Sequence, residues 1–135
     1  MRVVADSQAI LWYLNAPHRL SEKALRRLED AEQDGGIVVS AVTVPEVWMA
    51  VTRKQGPRAV AQAEYELLRD TLLAPGTTVD VESIGASLWL YFEEASTRLK
   101  DPFDALIVAT ALQLDAPLVS ADDAIASVGL VQVVW

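Results

Sequence analysis

Four carboxylates stand at points where the chain passes from an extended run into a helical one. Asp6 directly follows the apolar run Val3 to Ala5, and Ser7 opens the next helical pattern. Glu46 falls in the first turn of a helix predicted from Thr43, and Asp104 in the first turn of one predicted from Pro102. Asp122 closes the segment 117–122 behind a short apolar run. Carboxylates gathered at one rim raise one another's pKa unless a cation joins them. The chain has no cysteine, and its single histidine, His18, lies in a Pro-containing loop where a surface position is expected. An all-oxygen donor set suits Mg²⁺ or Mn²⁺ rather than zinc or copper. Ions of that kind lower the pKa of a water, orient it for in-line attack on a phosphodiester and stabilise charge on the leaving oxygen. One of the acids could also accept the water's proton.

Each acid also has a structural explanation. Asp and Glu are favoured at helix N-termini, where they accept free amide hydrogens and complement the helix dipole. Thr43-x-x-Glu46 has the form of a capping box, Ser120-x-x-Asp123 is similar, and Asp101 before Pro102 is a good N-cap. Asp101 and Asp123 are assigned to capping on that ground. Capping is a weaker account of Asp6, because an acid ending a buried strand near the sheet centre is costly to desolvate unless something cationic meets it.

The elements that must position these acids alternate. Strands are expected at Val3 to Ala5, Ile37 to Val39, Thr77 to Val81, Leu118 to Val119 and Val131 to Val134. Their continuous apolar character suggests burial on both faces. Helices are expected at Ser7 to Leu14, Ser21 to Asp34, Thr43 to Lys54, Pro57 to Leu73, Ser83 to Thr97 and Pro102 to Leu114. Gly35-Gly36, Gly56-Pro57, Pro75-Gly76 and Asp115-Ala116-Pro117 punctuate them. Within 83–99 the residues Ile84, Leu88, Tyr91, Phe92, Ala95 and Leu99 form one stripe, whereas 102–114 is apolar almost all round and belongs in the middle of the domain. Strands alternating with helices give an α/β domain over residues 1–135, with a central, mostly parallel five-stranded sheet flanked by helices. In such sheets ligands bind at the carboxyl edge where strand order reverses. Asp6, Glu46, Asp104 and Asp122 all return to that edge.

Composition bounds the function. The 135 residues are enough for one domain with a sizeable core, and the absence of cysteine excludes a disulfide framework, a thiolate metal site and a cysteine nucleophile. The N-terminus lacks the apolar core of a secretory signal, and the longest apolar stretch, Ala105 to Leu112, is too short to span a bilayer, so a cytoplasmic protein without membrane attachment is expected. The net charge of −8 opposes capture of a polyanion, but the deficit lies beyond residue 70, where Arg98 and Lys100 are the only bases. Acids neutralised by a bound ion also count for less than their formal charge. Arg19, Arg26, Arg27, Arg53, Lys54 and Arg58 are the available cations near the rim and adjoining helices; Arg53, Lys54 and Arg19 are the candidates for RNA contact, and each serves equally well on a solvated helix face. Four Trp and a hydrophobic fraction of 52% point to an apolar contact surface, for which Trp12, Tyr13, Trp48 and Trp89 are candidates.

Four segments carry a resemblance: Val3-Val4-Ala5-Asp6-Ser7, Ser40-Ala41-Val42-Thr43-Val44-Pro45-Glu46-Val47, Asp101-Pro102-Phe103-Asp104-Ala105-Leu106-Ile107 and Leu118-Val119-Ser120-Ala121-Asp122. In order and spacing the whole chain is similar to the PIN-domain ribonucleases, and among them to the VapC-type toxins of bacterial and archaeal toxin–antitoxin pairs. The resemblance implies a PIN-like three-layer fold and a Mg²⁺- or Mn²⁺-dependent endoribonuclease leaving 5′-phosphate and 3′-hydroxyl ends. It further implies catalytic and metal-binding roles for Asp6, Glu46, Asp104 and Asp122, support from the hydroxyls of Ser7 and Ser120, and accessory roles for Asp101 and Asp123. Two protein partners are implied as well, a second copy of the chain and a small cognate antitoxin covering the acidic groove. Ala105 departs from the toxin branch, which often carries Arg there, and this bears on substrate contact more than on metal binding.

Two other readings stay open at this point. A receiver-type signalling domain shares the fold class and an acidic Mg²⁺ pocket but predicts a Lys at the end of a late strand, where this chain has Val119-Ser120-Ala121-Asp122, and an acceptor Asp where it has Ser40. A non-catalytic α/β interaction module, with all four acids capping helices, predicts no response to Mn²⁺.

Overall fold

The computed structural model describes residues 1–53 and 59–135. Five short strands, β1 (Val3–Ala5), β2 (Ile37–Ser40), β3 (Val79–Glu82), β4 (Leu118–Val119) and β5 (Val133–Val134), pair in the order β3-β2-β1-β4-β5. Every pairing is parallel, so the sheet carries no antiparallel strand. Among the described residues the helices are α1 (Ser7–Asn15), α2 (Glu22–Gln33), α3 (Thr43–Val51), α4 (Gln62–Leu73), α5 (Trp89–Ser96), α6 (Pro102–Leu114) and α7 (Asp123–Val128).

Side chains of a strand alternate between faces, and here the alternation builds two cores. Val3, Ala5, Ile37 and Val39 pack with Ile10 and Leu11 of α1, Leu28 of α2, Val47 of α3 and Leu68 of α4. Val4, Val38 and Leu118 pack on the other face with Ala95 of α5, Ile107 and Val108 of α6 and Ile125 of α7. The result is a three-layer α/β fold. Full burial of each such aliphatic side chain is worth about 1.5–3 kcal/mol before conformational entropy is set against it. The chain moves outward from β1 to β3 and then returns to lay β4 on the other side of β1. Strand order therefore reverses beside β1, and the carboxyl end of β1 is where Asp6 stands.

Several boundaries differ from the sequence expectation. The strand expected over 77–81 begins at Val79 and runs to Glu82, because its register with β2 extends to the pair Ser40↔Glu82. The last strand is confined to Val133–Val134, the two residues that find partners on β4. The helix expected from Ser83 starts at Trp89, after a single 3-10 turn over Ala86–Leu88 that follows extended Gly85. Its stripe is correspondingly broken: Leu88, Ala95 and Leu99 are buried, whereas Ile84 and Tyr91 are exposed. Residues 59–61 are not helical, and the Val60 amide donates to the Ala50 carbonyl instead. The expected boundaries at Lys54 and Pro57 lie outside the described residues. Helix α7 was not expected, although Ser120 and Asp122 marked the place. At Gly35, with φ +102°, a Cβ would lie 2.4 Å from the Met1 carbonyl carbon, so the turn into β2 requires glycine.

Candidate metal centre

Asp6 is the N-cap of α1, and its Oδ1 accepts the Ala9 amide hydrogen at 2.8 Å. It is only 8% exposed. Burial pushes its carboxyl up to about 6; hydrogen bonds from Ser120 and the Ala9 amide oppose the rise, and the charges of Glu46 and Asp122 add to it. Ser120 is itself buried, and its Oγ accepts the Asp122 amide at 3.1 Å, so one hydroxyl ties Asp6 to the backbone that carries Asp122.

Glu46 does not cap its helix. The N-cap of α3 is Val42, which makes no side-chain cap bond, and the supposed capping-box partner Thr43 is buried with its Oγ1 unpartnered. This corrects the Thr43-x-x-Glu46 expectation: Thr43 is already inside the helix and cannot offer its hydroxyl as a cap. The Glu46 carboxylate instead accepts a hydrogen bond from the Ser7 hydroxyl, joining the first turns of α1 and α3.

Asp101 caps α6, with Oδ1 accepting from the Phe103 amide at 2.8 Å and the Asp104 amide at 3.4 Å. Asp104 then stands in the first turn, half-buried, and is pushed up to about 7, first by burial and then by the charges of Asp101, Asp122, Glu46 and Asp6. Asp122 caps α7 through Oδ1, accepting from Ala124 at 2.8 Å and Ile125 at 3.4 Å. Asp123 follows as the first residue of α7, so the cap stands two positions later than the Ser120 that the Ser120-x-x-Asp123 box would make it.

These side chains line one cavity of about 510 Å³: Asp6, Ser7, Glu46, Asp101, Asp104, Asp122 and Asp123, together with Arg53 and an apolar wall. The closest grouping is Glu46, Asp101 and Asp104, each offering a carboxylate oxygen within 4.8 Å of the others. Asp101, expected as a cap and, from the resemblance, as an accessory to the site, caps α6 and also stands within this grouping. The i, i+3 spacing of Asp101 and Asp104 on a first helical turn was the signal that could have promoted it. Of the expected RNA contacts, Arg53 lines the cavity, Arg19 lies over the Trp12 ring at 4.6 Å and does not line it, and Lys54 lies outside the described residues.

The donor set is chemically suited to a hard divalent cation. It is entirely carboxylate and hydroxyl oxygen, and two of its acids hold protons unusually tightly, first because they are buried and then because neighbouring carboxylates repel their charge. Bases are scarce here: among the described residues Arg53 is the cation lining the cavity.

Fold and site together define a parallel α/β domain with an acidic cavity at its topological switch point. The chain belongs to the PIN domain family, whose model matches residues 3–130. No curated protein is similar enough in sequence to match. Among solved structures the chain is similar to VapBC2 from Rickettsia felis bound to a promoter DNA fragment, with a TM-score of 0.67 at 16% identity over 98% of this chain and 97% of that one. It is similar to FitAcB from Neisseria gonorrhoeae, with a TM-score of 0.63 at 17% identity over 98% and 96%. It is also similar to VapBC-5, a member of the VapBC family of toxin–antitoxin systems from Mycobacterium tuberculosis, with a TM-score of 0.61 at 16% identity over 98% and 96%. At these identities the likeness establishes the fold.

Proposed function

We propose that the chain is a Mg²⁺- or Mn²⁺-dependent endoribonuclease and the toxin of a toxin–antitoxin pair. The observation that carries this reading is the approach of Glu46, Asp101 and Asp104 to within 4.8 Å inside a cavity that Asp6 and Asp122 also line. Glu46, Asp101 and Asp104 would hold the ion, with Asp6 and Asp122 as further ligands. A divalent ion bound there supplies Lewis acidity toward a phosphodiester and makes water a nucleophile near neutral pH.

The chain's own groups do the positioning. The Ala9 amide and Ser120 fix the Asp6 carboxylate, Ser7 aims Glu46, and the amides of Phe103 and Asp104 fix Asp101. Arg53 offers charge to a phosphate at the mouth.

Likeness to structures described as toxin–antitoxin complexes supports a small antitoxin as partner. Exposed Trp48, Met49 and Trp89 offer apolar surface for it or for a second copy of the chain. Among the described residues no helix is long and apolar enough to cross a membrane.

The observed caps of Asp6, Asp101 and Asp122 favour a second reading, a non-catalytic module, but capping does not account for Glu46 standing within 4.8 Å of Asp101 and Asp104. The deciding experiment is Mn²⁺-dependent cleavage of a mixed RNA pool by purified, antitoxin-free protein, beside Asp6→Asn and Asp104→Asn. Cleavage by the wild type that both variants lose is expected. No cleavage and no Mn²⁺ shift in melting temperature would sink the nuclease reading and favour the module.

A further inference from the structure

The cavity is larger and less polar than an ion requires. An ion with six oxygen ligands, at about 30 Å³ for each water-sized ligand, takes up roughly 200 Å³, and the cavity measures about 510 Å³. Beyond the acids, Ser7, Gln8 and Arg53, its wall has an apolar part: Phe103 and Val60 are half-buried, and Ala50, Val47 and Ile107 line it as buried residues. Phe103 sits between Asp101 and Asp104 in the first turn of α6, and consecutive Cα atoms are about 3.8 Å apart. Phe103 lines the cavity together with the acids on either side of it in sequence, and packs its inner side against the core. Arg53 lines the same cavity, following Glu46 and Ala50 along α3 at i, i+4 and i+7, just past the end of that helix.

We propose that the apolar part of this cavity is a subsite for one unstacked nucleobase of single-stranded RNA, with Phe103 as its stacking face and Arg53 contacting an adjoining phosphate. The inference rests on the nuclease reading and adds to it how the strand is seated. A phosphate held at the acidic cluster brings with it, one nucleotide away, a flat aromatic group that must either stay stacked on its neighbours or find another face. Aromatic side chains supply such a face in single-strand recognition, and stacking tolerates any base. The contact also bears on the charge balance: among the described residues six acids and one arginine line the cavity, and stacking adds affinity that salt does not screen.

The test uses the shortest oligoribonucleotide that the wild type cleaves from a random pool, and the same strand with an abasic ribose in turn at each position flanking the cut. Cleavage is followed in Mn²⁺, and binding by fluorescence anisotropy with Ca²⁺ in its place. For the wild type, one abasic position is expected to lower kcat/KM and affinity by about 10- to 100-fold, the range of one lost stacking contact. Phe103→Ala is expected to lose the same factor on the intact strand and nothing further on the abasic one. Phe103→Tyr should restore it, and the Mn²⁺ shift in melting temperature should stay at the wild-type value in both variants. If every abasic strand is cut as well as the intact one, the base subsite is overturned while the nuclease stands. Unimpaired cleavage by Phe103→Ala would likewise overturn it. A wild type that cuts no RNA at all would overturn both.

Discussion

The hydroxyl of Ser7, the first residue of α1, donates to the carboxylate of Glu46 on α3, so two helices that leave different strands are joined at their first turns above the sheet edge. The bond holds Glu46 toward Asp101 and Asp104. Ser7→Ala removes that bond and with it one of the contacts that orient the carboxylate. Loss of a partner that orients a ligand costs about 10- to 100-fold in metal affinity or activity. Titration with Mn²⁺, read by melting temperature, is expected to show at least about a 10-fold weaker midpoint than wild type, with Ser7→Thr close to normal. Equal midpoints for Ser7→Ala and wild type would remove Ser7 from the supporting role.

Protons and metal compete for the same oxygens. Asp6 and Asp104 are raised to about 6 and about 7 in the fold from an ordinary value of 3.8. The folded state therefore holds their protons more tightly than the unfolded chain does, and their contribution is most favourable below about pH 4 and is lost as pH rises through about 7. In EDTA, melting temperature should accordingly fall between pH 5 and pH 8 as these two groups ionise. Asp104→Asn should flatten part of that fall; a wild-type profile unchanged by the substitution would contradict the assignment.

Added Mn²⁺ should reverse the trend. An ion that binds only the folded chain stabilises it by about 2.7 kcal/mol at a hundredfold excess over Kd, and the ligands must be ionised to bind it. The Mn²⁺ shift is expected to grow from pH 5 to pH 8. A shift independent of pH would mean that the ion binds elsewhere.

Asp104→Asn removes charge from the middle of the cluster without changing side-chain size. In EDTA near pH 8 the variant should melt higher than wild type, because like-charge repulsion is relieved, whereas in Mn²⁺ it should melt lower and RNA cleavage should fall by about 100-fold or more. The crossing of the two melting curves separates a ligand from a residue that merely packs.

Thr43 carries a buried hydroxyl without a hydrogen-bond partner. Thr43→Val keeps the shape and removes the unsatisfied group, so melting temperature should hold or rise, by up to about 1 kcal/mol in stability. A loss of more than about 1 kcal/mol in urea unfolding would show that the hydroxyl is satisfied in solution.

Much of this was legible in the sequence. Unbroken apolar runs mark β1, β2 and β4 as strands covered on both faces, and Asp6, Ser40 and Ser120 directly after them mark the carboxyl edge, whereas β3 carries Asp80 and leaves Val81 exposed. Glu46, Asp104 and Asp122 fall at helix starts beside the same edge, so the rim as a whole is legible in the sequence. Local pattern also settled α6, whose all-round apolarity has no other home than the middle of the domain.

Tertiary structure alone decided how those acids divide their work. Whether Asp101 only caps α6 or also closes on Glu46 depends on the angle between α3 and α6, which no local spacing encodes. The Thr43 box failed because the backbone enters α3 one residue earlier than the pattern suggested, a choice made by packing Thr43 and Val47 inward. The extent of β3 and β5 was likewise set by how many residues find partners on the neighbouring strand. Sequence specifies which groups reach the edge of the sheet; their separation, burial and proton affinity arise only when helices from distant parts of the chain pack against the same strands, because desolvation and Coulomb repulsion depend on distance in space.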